Sequence, residues 1–214
     1  MITTAIDLRP KLPAVRNQGG RKTCMAFAAS GAHAQCCGTP ALGLSVEYAH
    51  YQACLQRATF NPHQGTSVID MFAALSLIGQ PEESSWPYGD QLPDDLSSYH
   101  PPAAASILFK HTGNLLTNFD DIVLNLENGK PVLIGVNLST AFHFLRGTDI
   151  LQFDPSSDPA GHHAVVIVGA REVEGRLVFL VRNSWGDGWA DRGHGHISET
   201  YLRSRATFMG VFCD

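Results

Sequence analysis

Gln18-Gly-Gly-Arg-Lys-Thr-Cys24-Met-Ala-Phe-Ala-Ala-Ser-Gly-Ala-His-Ala-Gln35 is the segment on which the reading of this chain turns. A glycine-containing turn leads into an alanine-rich, proline-free run. That composition predicts a helix from Cys24 to Gln35 with Thr23 as N-cap. Its apolar residues are continuous instead of following one face, so the helix is expected to be buried. Gly38 and Pro40 end it. The Cys24 thiol then lies in the first turn, at the positive end of the helix dipole, where the reactive thiolate is favoured. Arg21 and Lys22 add to that effect if they turn inward. Alone, such a cysteine is more often a small buried hydrophobe.

Two later segments change the weight of that thiol: Gly161-His-His163-Ala-Val and Asn183-Ser-Trp185-Gly186. A cysteine hydrolase needs a thiolate to attack a carbonyl carbon and an imidazole to take and return the proton. It also needs an amide to hold the imidazole in the useful tautomer. Gln18, just upstream of the thiol, supplies a hydrogen-bond donor for a developing oxyanion.

The chain has 214 residues, is 44% hydrophobic and carries a formal charge of -5, enough apolar material for a core in one or two lobes. No basic stripe is present, so nucleic acid is not an expected partner. No apolar run is long enough to span a bilayer. Residues 1–10 lack the basic start and apolar core of a secretory signal. The five cysteines, Cys24, Cys36, Cys37, Cys54 and Cys213, are odd in number, and Cys36 and Cys37 cannot easily bridge each other. A reducing compartment is the expectation: cytoplasmic, or delivered or secreted without a classical signal peptide.

Helices are predicted from Ser45 to about Arg57, from Thr66 or Ser67 to Ile78 with Gly79 and Pro81 closing it, and from Asp120 to Asn128. Residues 81–105, rich in proline, serine and aspartate, read as a loop or crossing between lobes. Pro131–Leu138, Ala164–Ala170, Leu177–Arg182 and Gly195–Ser198 read as strands. A helical half followed by a strand-rich half predicts an α+β fold in two packed lobes.

The order of motifs resembles the papain/cathepsin-type cysteine peptidases over nearly the whole chain. Asp7-Leu-Arg9, Asn17-Gln18-Gly19 and Cys24-Met-Ala-Phe27-Ala are similar to the start of the mature enzymes. Leu44-Ser-Val-Glu47, Gly65-Thr-Ser67, Trp86-Pro-Tyr88, Lys130-Pro-Val132, Leu145-Arg-Gly147, the His163–Gly169 strand and Arg182-Asn-Ser-Trp-Gly186 with Gly188-Trp189 follow in family order. The interval from Cys24 to His163 falls within the roughly 130–150 residues expected, and Asn183 lies slightly beyond it.

The resemblance implies a single papain-like domain over 1–214, with a mainly helical lobe at about 18–105 and a mainly β, antiparallel, barrel-like lobe at about 106–205, the cleft between them. It implies Cys24 as nucleophile, His163 as base and acid, Asn183 as the orienting amide, and Gln18 with the Cys24 backbone N–H as oxyanion donors. Trp185 would shield the Asn183–His163 hydrogen bond. Gly65 and Thr66 would line the substrate backbone, and Ser67, Val68 and Ala164 a pocket for an apolar side chain. His162 and His163 point to opposite faces of a strand; the family register selects His163 and leaves His162 at the rim. His194-Gly-His196 lacks an accompanying ligand set, so neither metal nor cofactor is expected. The partners expected are a protein or peptide substrate and an activating or inhibitory protein.

Three departures stand out. The family's structural cysteine three positions before the nucleophile is Arg21 here, and its partner near Gly65 is also missing. Met25 replaces a tryptophan. Met1 stands too near Cys24 for the usual inhibitory pro-segment, so the expectation is either an excised mature domain or control by other means, such as a partner or delivery, as in a bacterial effector. The leading expectation is an endopeptidase working through a Cys24 thioester. The alternatives are a deamidase, transpeptidase or acyltransferase using the same triad, and a catalytically silent binding module.

Overall fold

The computed structural model of the chain describes residues 4–39, 43–103 and 108–213. Helix α1, Cys24–Cys36, begins where the sequence predicts and buries every residue from Met25 to Ala34. Its alanines allow close approach on all sides, and it packs against two further helices and the sheet. Pro40, expected to follow it as a stop, lies outside the described residues. Helix α2, Val46–Leu55, is capped by Ser45, whose hydroxyl accepts the Tyr48 N–H. Helix α3, Val68–Leu77, starts with a capping box between Ser67 and Asp70. Both caps act as local sequence chemistry predicts. Thr23 differs: it occupies the N-cap position of α1 without a capping hydrogen bond, and its hydroxyl meets the Tyr88 hydroxyl at 2.9 Å instead.

The remaining elements build the sheet. They are β1 (Ile6–Asp7), β2 (Thr112–Leu115), α4 (Asp121–Glu127), β3 (Val132–Asn137), α5 (Thr140–His143), β4 (Ile150–Leu151), β5 (His162–Val173), β6 (Arg176–Arg182), β7 (His194–Ser198), α6 (Glu199–Arg205) and β8 (Ala206–Cys213). The order across the sheet is β2-β8-β3-β5-β6-β7-β4, with β1 also paired to β5. All pairs are antiparallel except β4 with β7.

The α+β architecture is as expected, but the barrel-like closure is not: among the described residues the sheet runs as an open path ending at β2 and β4. The reason lies at the β2–β8 edge, which α3 covers. The Phe72 ring lies directly on this edge, and a Cβ added at Gly113 would stand 2.1 Å from it. That edge is therefore packed against the helical lobe. The opposite edge, β4, is only two residues long. The sheet also recruits strands from both chain ends, β1 and β8.

The site region forms where the start of α1 meets β5 and the loop after β6. Gln18 N–H donates to Ser184 O at 2.8 Å, Gly186 N–H donates to Arg16 O at 3.2 Å, and Asn17 bridges Trp185. The segment before α1 is thus pinned to the segment after β6.

Candidate active site

Cys24 is the first residue of α1, where backbone N–H groups have no intrahelical acceptor. Burial pushes the thiol up. Three backbone amides, of Ala164, Met25 and Cys24 itself, offset part of that rise, and the thiol stays above its ordinary value. The Ala164 amide places the sulfur beside the strand that carries His163. Arg21 does not turn toward the thiol, contrary to the inward option. Its guanidinium grips both carboxylate oxygens of Glu47 at 2.7 Å and donates to Gly89 O at 2.6 Å.

His163 is the second residue of β5; it is buried while His162 is exposed, as strand alternation requires. Its Nε2 lies 2.7 Å from Asn183 Oδ1. The same oxygen accepts the Ser184 backbone N–H at 2.7 Å. A backbone N–H can only donate, so the Asn183 amide is oriented with its oxygen toward both groups. His163 Nε2 must then carry the hydrogen, which leaves Nδ1 as the free basic nitrogen. Trp185 stacks on the His163 ring with centroids 4.8 Å apart. Phe142, buried in α5, stands edge-on to both rings. The Trp189 indole stacks on Phe142 and donates to its carbonyl at 3.0 Å. This aromatic wall excludes water from the His163–Asn183 bond. The same burial pushes the imidazole down to about 4, against the opposing pull of Asn183.

Gln18 is buried, and both ends of its amide are held. Oε1 accepts the Ser184 hydroxyl at 2.6 Å, and Nε2 donates to Arg21 O at 2.8 Å. An amide nitrogen carries two hydrogens, so one is left to donate. Tyr88 closes the turn: its hydroxyl donates to Gln18 O at 2.7 Å and meets the Thr23 hydroxyl.

Gly65, Thr66 and Ser67 lie on the approach to α3, and Val68 is its first residue. A Cβ at Gly65 would sit 3.5 Å from Lys22 O, so this strip runs beside the Gln18–Cys24 turn. Arg57 fixes it, donating to Gly65 O at 2.5 Å and to Asp70 at 3.1 Å. The Ser67 hydroxyl is engaged in the capping box, while Val68 and Ala164 are buried. His163 touches Asn183 and Trp185 directly, Cys24 meets Ala164 beside it, and Gln18 joins them through Ser184. Ser184, which sequence reasoning passed over, holds two of them in place. Its position between Asn183 and Trp185 was the available signal.

A second cysteine–histidine pair, Cys37 with His111, has Sγ 3.4 Å from Nδ1. It is poorly suited to nucleophilic attack. Cys37 follows the C-terminus of α1, where the dipole disfavours an anion. Burial, reinforced by Cys36, pushes its thiol up to about 12.

The family model for papain family cysteine proteases matches residues 2–206. A cysteine protease of Blomia tropicalis is 25% identical over 203 residues, covering 88% of this chain and 58% of that protein. Pro-cathepsin H of Mus musculus is 27% identical over 206 residues, covering 89% of this chain and 59% of the relative. The chain thus spans less than two thirds of these relatives. Among solved structures, digestive procathepsin L 3 of Tenebrio molitor larval midgut superposes with a TM-score of 0.80 at 19% identity, covering 100% of this chain and 71% of that one. Xylellain of Xylella fastidiosa gives 0.78 at 23% identity, covering 99% and 86%. At such identities the structural likeness speaks for the fold.

Proposed function

Since the chain belongs to the papain family of cysteine proteases, we propose that it hydrolyses peptide bonds through a thioester on Cys24, with His163 as base and acid. The observation that carries this reading is the Ser184 N–H to Asn183 Oδ1 to His163 Nε2 arrangement, because it leaves His163 Nδ1 free to take a proton.

Burial disfavours either charge alone, on the sulfur or on the ring. Moving the Sγ proton to His163 Nδ1 creates both charges together, and each stabilises the other. The sulfur attacks the carbonyl carbon, and the C=O electron pair moves onto oxygen. The remaining Gln18 Nε2 hydrogen and the Cys24 backbone N–H donate to that oxyanion. Collapse expels the amine, which takes the proton from His163 Nδ1 and leaves a thioester. His163 then removes a proton from water. The resulting attack and collapse release the acid and restore the thiol.

Gly65 and Thr66 would run along the substrate backbone. Val68 and Ala164, both apolar, would favour an apolar side chain at the second residue before the cleaved bond.

The test is labelling with an epoxide-type thiol inhibitor, read by intact mass, alongside turnover of a peptide library. One adduct on the wild type, none on Cys24→Ala, and cleavage after an apolar second residue are expected. A folded wild type that takes no adduct overturns the reading. Acyl transfer to an amine in place of water, in the same assay, would select the transferase alternative.

A further inference from the structure

We propose that His33, Cys37 and His111 bind a thiophilic divalent metal ion of the zinc class, through two imidazole nitrogens and one thiolate, with a fourth coordination position open to solvent. The three ligand atoms lie within 4.8 Å of one another. Cys37 Sγ is 3.4 Å from His111 Nδ1, and that nitrogen is 3.2 Å from His33 Nε2. Zinc–nitrogen and zinc–sulfur bonds of about 2.0 and 2.3 Å in tetrahedral geometry set ligand-to-ligand edges of about 3.3–3.6 Å. Two edges are already at that length, and the third is no longer than 4.8 Å.

The protonation pattern favours a cation in this position. Gln80 Nε2 donates to the Ser45 carbonyl at 2.8 Å and to Ser30 Oγ at 2.6 Å. A carbonyl only accepts, so Gln80 Oε1 must face His33 Nδ1, 3.0 Å away, and accept its hydrogen. His33 Nε2 therefore presents a lone pair toward His111. Holding a ligand imidazole by its other nitrogen is the usual outer-shell arrangement of a zinc site. His111 Nδ1 faces both the sulfur and this lone pair, and a single proton on it can serve only one of them well. A metal ion accepts from all three, and the Cys37 proton leaves to solvent as the sulfur–metal bond forms.

The surroundings agree with this assignment. His33 sits in the last turn of α1 and Cys37 just after it, at the helix end where the dipole attracts a cation. The Phe212 ring, 5.1 Å from the His33 ring, gives the site an apolar wall. Cys37 and His111 are half-buried, which leaves a route for the ion. The bound metal would tie the end of α1 to the chain entering β2, a cross-link in a lobe where Arg21 stands at a family disulfide position.

The experiment uses the full chain carrying Cys24→Ser, which removes the thiol of the proposed active site. Titration of the metal-stripped protein with Co2+ is followed by absorption. Expected is one equivalent giving tetrahedral d–d bands and a thiolate-to-cobalt charge-transfer band, bleached by one equivalent of Zn2+. Adding Cys37→Ser should abolish the charge-transfer band, and His111→Ala should weaken Co2+ binding at least tenfold. His111 lies outside any helix or strand, so this second variant tests the site even if Cys37→Ser folds poorly. Absence of the band, its persistence with Cys37→Ser, or unchanged affinity with His111→Ala overturns the proposal.

Discussion

Ser184 and Gln18 are joined by a 2.6 Å hydrogen bond from the serine hydroxyl to the glutamine Oε1. The backbone of the same serine holds Asn183. One residue therefore positions both the proposed oxyanion donor and the amide that fixes the base.

Removing the hydroxyl with Ser184→Ala frees Gln18 to rotate without touching the substrate. The expected result is a fall in kcat of about five- to tenfold with KM nearly unchanged, the scale of one neutral hydrogen bond. Gln18→Ala should cost more, about 10²–10³-fold in kcat. Steady-state kinetics of the two variants checks this. A rise in KM for Ser184→Ala, with kcat intact, would remove the positioning role.

Gly65→Ala separates substrate approach from folding. The added Cβ would meet Lys22 O at 3.5 Å, an ordinary contact, so the fold should tolerate it. If substrate lies along this strip, KM for an extended peptide rises while thermal stability stays close to wild type. Unchanged KM would place the substrate elsewhere.

Arg21 and Glu47 form a buried pair, with side chains 9% and 3% exposed. Burial alone would raise the Glu47 carboxyl, but Arg21 and the Tyr99 hydroxyl outweigh it and hold it low. Glu47→Gln leaves a buried guanidinium without its counter-charge and should cost about 3–5 kcal/mol in urea unfolding. The double variant Arg21→Met/Glu47→Leu should lose much less. Equal losses for the two would mean that packing, not charge, dominates here.

Acid should weaken the fold through buried histidines. Burial and the nearby Arg182 push His194 down from 6.5 to about 4, and burial pushes His50 down as well. Between those two values for His194 the unfolded chain binds a proton that the native state does not. Stability is therefore full above about 6.5 and falls as the pH drops toward 4. Urea midpoints at pH 7 and pH 5 should show a smaller drop for His194→Gln than for the wild type. Identical drops would remove His194 from the acid response.

The helices were legible because their signals are local. Ser45, and Ser67 with Asp70, make at their own helix ends the bonds that their types and spacing announce. Strand β2 was not: Thr112-Gly-Asn-Leu115 has weak strand propensity and exists because β8, nearly a hundred residues later, pairs with it. Strand β8 was missed although Thr207, Phe208, Val211 and Phe212 are strand formers, and the open sheet edge depends on Phe72, which no strand pattern reports. At the candidate site, the chemical types and order of Cys24, His163, Asn183 and Gln18 were readable. Arg21 was read as a possible helper of the thiol, but a neighbouring helix claims it. The His33–Cys37–His111 cluster has no spacing signature, because His111 arrives from 74 residues beyond Cys37. The chain's origin was not readable either: the named relatives come from mite and mouse, and a bacterial protein enters among the structural neighbours.

The bridge between Asn17 and Trp185 also governs timing. At about 5–20 residues per second, on the order of ten seconds of translation separates Cys24 from Asn183. Throughout that interval the nascent chain offers a thiol without an oriented base. On the proposed reading, the thiol gains its base only when the segment before α1 closes on the segment after β6, so hydrolysis would begin after this bridge has formed.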